Sequence, residues 1–210
     1  MDDDGRLARR EATAELAAAV RALADATVET AVDERELAAV AAATRLLAER
    51  LVAARHDGPY SGLHGKVLDL STPGGPLPLS PVIGDCNPSA PDVEMRFAED
   101  GRVEGRARLT KRHVGPPWAA HGGIGAMIAD QLVAVTPYRL GLTCVTRRME
   151  VRYRRPIPLH TDVALEAWCE PAGDEGSAVR AWCTIGHDGA VDLEAEAEMV
   201  VAMHVIRPGR

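Results

Sequence analysis

The sequence predicts an α+β protein in which an antiparallel β-sheet wraps around one long central helix, preceded by an N-terminal helical extension. Three observations predict it. From about residue 93 to residue 206, apolar and polar residues alternate in runs separated by turns, the pattern of antiparallel strands buried on one face. Within that region one stretch, His121 to about Thr136, breaks the alternation and is apolar on nearly all sides, as a buried helix is. Residues 5–56 hold no proline and only Gly5, and are rich in Ala, Glu and Arg.

In the extension (residues 1–56), Leu37, Val40, Thr44, Leu47 and Leu51 recur at spacings of three and four, one face of an amphipathic helix. Leu16, Val20 and Leu23 mark an earlier helix. Asp33 followed by Glu36 has the form of an N-cap and capping box between the two. The expectation is a helical hairpin whose apolar stripe packs on another surface, either as a simple packing extension or as a dimerisation or docking element. Residues 57–92 are rich in Pro and Gly, as in STPGGPLPLSP and CNPSAPD, and read as a linker or as a lid over a site.

Residues 93–206 carry the sheet. Val93, Met95 and Phe97 share one face of the first strand. Val103, Ala107 and Leu109 alternate with Glu104, Arg106 and Arg108 in the second. After the helix come four more strands. Val163, Leu165, Ala167 and Cys169 form one inward row, and Val179, Ala181, Cys183 and Ile185 another. In the last, Val191, Leu193, Ala195, Ala197, Met199, Val201, Met203 and Val205 oppose Asp192, Glu194, Glu196 and Glu198. Asp188-Gly189 reads as the hairpin turn between the last two strands. Alternation in the third places Arg147 on the face of Val145, Met149 and Val151, where a bulge, a partner charge or a ligand must account for it.

Composition bounds the function. The 210 residues suffice for one domain with an appendage. Hydrophobic residues make up 46% but aromatics only 3%, so the core must be aliphatic. The net charge of −7 disfavours a nucleic-acid binder. The four cysteines, Cys86, Cys144, Cys169 and Cys183, lack metal-ligand spacing and read as reduced and buried. His56, His64, His160, His187 and His204 are scattered and read as structural or surface residues. No apolar run reaches the length of a membrane span, and the acidic start MDDDGRLARR is unlike a signal peptide. A cytoplasmic protein is expected, and the preference for Arg over Lys suggests a bacterial source.

Two features point to chemistry. Asp130 is the one ionisable side chain in the apolar helix, flanked by Ile128, Ala129 and Leu132. A buried carboxylate is costly unless paired or used, and an apolar setting raises its pKa in a way that suits a general base. His121-Gly122-Gly123 opens the same helix, where free N–H groups meet the positive end of the helix dipole. Such a terminus can stabilise an oxyanion or bind a phosphate.

The stretch GPPWAAHGGIGAMIAD (residues 115–130) closely resembles the signature of the PaaI-like and 4-hydroxybenzoyl-CoA thioesterases, of the hotdog fold. There an HGG turn opens the central helix and an acidic residue follows nine positions after the His, as Asp130 follows His121. VTRRMEVRYRRPIPLHTD (residues 145–162) is similar to the family strand that passes the active site. The resemblance spans roughly residues 85–206. It implies hydrolysis of an acyl-CoA or acyl-carrier thioester, with no cofactor and no metal. Asp130 then serves as nucleophile or as general base, and the Gly122 amide, with Gly123 beside it, polarises the thioester carbonyl. Thr146 matches a Ser or Thr that orients water in some relatives. The Asn or Gln that many members carry before the HGG turn is missing, and His113 is the nearest polar residue. The family also builds each site from two subunits, so a homodimer or a dimer of dimers is implied.

Arg139, Arg147, Arg148, Arg152, Arg154 and Arg155 form a basic cluster suited to the phosphates of coenzyme A, or a solvated face paired to the Glu ladder of the last strand. Trp118 is a candidate for the acyl pocket. The alternatives are a non-catalytic acyl-CoA-binding hotdog protein and a hotdog acyl-thioester hydratase or dehydratase, which uses a different local pattern.

Overall fold

The computed structural model describes residues 3–55, 71, 73, 77–173 and 177–204. Helices α1 (Asp3–Glu29) and α2 (Glu34–Val52) come first. Strands β1 (Asp92–Phe97) and β2 (Val103–Arg108) follow, then helix α3 (Gly122–Val135) and strands β3 (Leu142–Tyr153), β4 (Asp162–Ala172), β5 (Ala178–His187) and β6 (Ala190–His204). The strands form one antiparallel sheet in the order β1-β2-β4-β5-β6-β3. Strands β1 and β3 are its edges.

The sheet curls around α3. Ile128, Leu132 and Val133 on the helix pack against Val163, Leu165, Val179, Ile185, Leu193 and Met199, all at most 2% exposed. Where the helix lies closest the wall is built of small residues. Ala167, Ala181 and Ala197 are fully buried, as is Ala129 on the helix, and the Cys183 thiol donates to the Ala129 carbonyl at 3.7 Å. Burial pushes that thiol up to about 12, so it stays protonated. The aliphatic core expected from composition is therefore realised by close packing of short side chains rather than by aromatic bulk. The tryptophans Trp168 and Trp182 lie instead in the outward row of β4 and β5, stacked at 6.3 Å.

Strand alternation holds along β1, β2, β4 and β5. The hairpin turn falls at Asp188-Gly189, whose φ angles of 50° and 74° are those of a two-residue turn with both central residues left-handed. In β6 the first step of the predicted pattern is corrected. Val191 is 40% exposed and Asp192 is fully buried, because the register slips between Ile185 and Gly186. Asp192 is the extra residue of that bulge and turns inward, where Arg155 (2.7 Å) and His187 (2.5 Å) meet its carboxylate.

The expected helical hairpin is also corrected. The N-cap at Asp33 is present, accepting from the Glu36 N–H at 2.9 Å, but α2 is not packed along α1 and buries none of its residues. Helix α1 docks on the domain through short and polar side chains. Ala17 is buried, Arg10 pairs with Asp85 at 3.1 Å, Arg21 donates to the Asn87 carbonyl at 2.9 Å, and Asp25 meets Arg112 at 3.1 Å. Its Leu16, Val20 and Leu23 face away from the domain, 37–43% exposed. From Leu77 onward the Pro/Gly-rich segment is a series of turns tied to α3 by the Ser80 hydroxyl, which donates to Gln131 Oε1 at 2.7 Å. Most of the candidate lid, with His56 and His64, lies outside the described residues.

Candidate active site

His121 is the N-cap of α3, with extended φ and ψ of −62° and 132°. Its Nδ1 accepts from the Gly123 N–H at 3.0 Å. Of the two glycine amides at the turn, Gly123 is therefore spent on the cap. The Gly122 N–H has no hydrogen-bond partner among the described residues. Gly122 is held from the other side by Tyr153, whose hydroxyl donates to the Gly122 carbonyl at 3.2 Å. A side chain at 122 would meet the Tyr153 ring, with Cβ at 3.2 Å from Cε1. This close approach is a backbone reason for glycine there.

A chain of hydrogen bonds fixes the turn from behind. Asp25 of α1 accepts from the Thr110 hydroxyl at 2.6 Å. The Thr110 N–H donates to His113 Nδ1 at 3.0 Å. The His113 carbonyl accepts from the His121 N–H at 2.8 Å. His113 itself is 7% exposed, and burial holds its pKa below the ordinary 6.5, with Arg112 beside it acting in the same direction. Because Nδ1 is an acceptor here, the neutral ring carries its proton on Nε2, a buried atom with no hydrogen-bond partner among the described residues. Sequence reasoning marked His113 as the nearest polar candidate, but the part played by Asp25 and Thr110 was invisible to it, since their contact spans 85 positions.

Asp130 is corrected in one respect: in the single chain it is exposed rather than enclosed in an apolar setting. Helix α3 buries one side only, and Gly123, Met127, Asp130 and Ala134 lie along its more open side. The Thr146 hydroxyl donates to Asp130 Oδ1 at 2.9 Å. That contact depends on a bulge. The register of β3 on β6 slips between Thr146 and Arg148, so Arg147 is the extra residue. Unbroken alternation from Met149 would place Thr146 on the outer face. The bulge returns it to the inner face, opposite buried Met199, and within reach of α3. It also accounts for Arg147, and it turns Val145 outward, 63% exposed.

The remaining candidates separate cleanly. Arg154 pairs with Glu194 at 2.5 Å, as does Arg152 with Glu150 at 2.7 Å. Arg155 binds Asp192 and the carbonyls of His187 and Ala190. Arg139 lies over the Phe97 ring at 5.4 Å. Their guanidinium groups are thus occupied within the chain. Arg147 and Arg148 are exposed and make no hydrogen bond or ion pair among the described residues. Trp118 is 82% exposed with φ of 69°.

Gly122 and Asp130 are eight residues apart on one helix, about 12 Å along its axis. One chain's Gly122 amide and Asp130 carboxylate therefore do not both reach a single carbonyl group. The open side of α3 lies beside β3, a 12-residue edge strand with no strand on its outer side among the described residues.

No family model and no curated protein matches the chain. Among solved structures, it is similar to one described as a thioesterase superfamily protein, at 26% identity and a TM-score of 0.77 over 90% of each chain. That share requires the helices before β1 as well as the sheet. A hypothetical thioesterase from Streptococcus pneumoniae with coenzyme A (21% identity, TM-score 0.50) covers 55% of this chain and 89% of its own. A Streptococcus mutans protein bound to acetyl-CoA (18%, 0.50) covers 55% of this chain and 92% of its own. The two share the fold of the sheet and its helix. With the geometry above, these similarities show the hotdog fold, and the 26% identical structure that shares it over 90% of each chain is a thioesterase superfamily protein.

Proposed function

We propose that the protein hydrolyses an acyl-CoA thioester to the free acid and coenzyme A. The observation that carries this reading is the pairing of Asp130 with Thr146 on the open side of a helix whose first amide, Gly122 N–H, has no partner among the described residues. The thioester oxygen docks on the Gly122 N–H, where the amide and the helix dipole meet the charge that develops on it. The Asp130 carboxylate either takes a proton from water as that water adds to the carbonyl carbon, or adds itself and is released by water in a second step. In both courses the carbon–sulfur bond breaks and coenzyme A leaves as a thiolate, which picks up a proton from solvent. Thr146 holds one carboxylate oxygen and leaves the other to act.

The distance of about 12 Å between the two groups supports a site built by two copies of the chain, with Gly122 from one and Asp130 from its partner. A two-fold contact across the open edge of β3 provides that arrangement, satisfying the unpaired strand at the same time. Arg147 and Arg148, unpaired and next to Thr146, are the side chains left to meet the phosphates of coenzyme A.

Thiol release from short, long and aryl acyl-CoAs, measured for wild type beside Asp130→Asn, tests the reading. Turnover of at least one substrate is expected, reduced about 10²- to 10⁴-fold in the variant, the range for loss of a general base. Equal rates in the two proteins would remove Asp130 from the mechanism. Acyl-CoA bound without turnover would make the protein a sensor instead.

A further inference from the structure

Helix α2 is a 19-residue helix with no buried residue. Leu37, Val40, Leu47 and Leu51, 41–57% exposed, run along one side with Thr44 at the centre. Their spacing of three, four, three and four is the seam of a two-helix coil. An isolated helix of this length is marginal in water, and a continuous apolar stripe of this kind marks a contact surface. The covering surface is not α1, although α1 has its own outward stripe and only a short connection joins the two helices. Closing that hairpin would bring Glu34 and Glu36 of α2 towards Asp25 and Glu29 at the end of α1.

We infer that α2 pairs antiparallel with α2 of a second copy of this chain. Charge selects this occupant. The first turn of α2 is acidic, with Glu34 and Glu36, and its last turn carries Arg50. Antiparallel pairing sets each acidic end beside the partner's basic end, whereas parallel pairing sets like against like. The stripe is nearly symmetric about Thr44. With Thr44 on the two-fold axis, Leu37 meets the second copy's Leu51, Val40 lies beside its Leu47, and Glu36 lies within reach of its Arg50. The contact is isologous, as a closed dimer requires. It acts in addition to the proposed β3-edge contact and does not depend on the catalytic reading.

Cysteine crosslinking in the full chain tests it, read against the background of the wild type's four cysteines. Thr44→Cys is expected to give an intermolecular disulfide under mild oxidation. Leu37→Cys is expected to give none above background, since antiparallel pairing holds the two copies of residue 37 about 20 Å apart along the coil. Leu47→Glu in the Thr44→Cys background should abolish most of the crosslink, with thiol release and the circular dichroism of the sheet domain unchanged. Glu36→Arg and Arg50→Glu should each weaken it, and the double variant should restore it. Absence of the Thr44→Cys crosslink, equal crosslinking of Leu37→Cys, or failure of the double variant to recover would overturn the pairing.

Discussion

At the scale of single residues, the account turns on one N–H group and one hydroxyl. Gly122 occupies the first helical position, where proline is tolerated because no intrahelical bond is lost, and His121 before it already has the extended conformation that a following proline demands. With Gly122→Ala as the control for the Cβ that presses on the Tyr153 ring, Gly122→Pro deletes the proposed oxyanion donor and leaves the helix in place. It is expected to lower kcat about 10²- to 10³-fold with far-ultraviolet circular dichroism unchanged; full activity would show that the amide is not used. Thr146→Val removes the donor to Asp130 and should lower kcat about tenfold, as loss of a single hydrogen bond to a charged group does. Arg154 and Arg155 are adjacent and both salt-bridged, yet they differ in stability terms. Arg154 pairs with the partly exposed Glu194, so Arg154→Ala should leave urea stability nearly unchanged. Arg155→Ala strands the fully buried Asp192 and should cost about 3 kcal/mol, the low end for a broken buried pair because Arg155 is itself 38% exposed.

At the scale of elements, two bulges decide what the chain can do. Most of the sheet was legible in the sequence because period-2 alternation is a direct readout of burial: Leu193, Ala195, Ala197 and Met199 are inside as expected. The exceptions share a cause. A bulge adds one residue to one strand and shifts everything on one side of it, and nothing in the composition of Thr146-Arg147-Arg148 or Val191-Asp192-Leu193 announces it. Arg147 out of pattern was the one visible sign. The HGG turn opens α3 where the sequence led us to expect it, while the roles of Gly122 and Asp130 were expectations of the family resemblance. The anchoring by Thr110 and Asp25 and the pairing of Arg155 rest on contacts between distant segments, whereas the spending of Gly123 on His121 is a local cap two positions apart. The anchor makes its own prediction: Thr110→Val breaks the link from α1 to His113 and should lower kcat several-fold with KM little changed, while hydrogen exchange of residues 113–123 speeds up. A variant with wild-type exchange and wild-type kcat would show that the link is passive.

At the scale of the whole molecule, acid sensitivity follows from His113. Its folded pKa lies below the ordinary 6.5, so on acidification the unfolded chain takes up this proton first. The contribution is complete above pH 6.5, declines as pH falls below it, and stops declining once the folded value is passed. His113→Gln should flatten urea stability across that window. The exposed carboxylates Glu194 and Asp162 are also held below their ordinary 4.5 and 3.8 by arginines, but any loss from them falls at lower pH and is screened by solvent. The two effects are therefore separable in one titration. Assembly enters at the same scale, since in the proposed mechanism a chain with its carboxylate and its amide donor about 12 Å apart would supply two half-sites rather than one site.

The most direct measurement is subunit complementation. Asp130→Asn and Gly122→Pro proteins, each deficient in thiol release from acyl-CoA, are co-expressed and the mixed population assayed. A heterodimer pairs the intact Gly122 of one subunit with the intact Asp130 of the other. Random 1:2:1 assembly then restores about a quarter of wild-type activity, half the dimers having one working site of two. Activity no greater than the sum of the two parent variants would contradict a site shared between subunits.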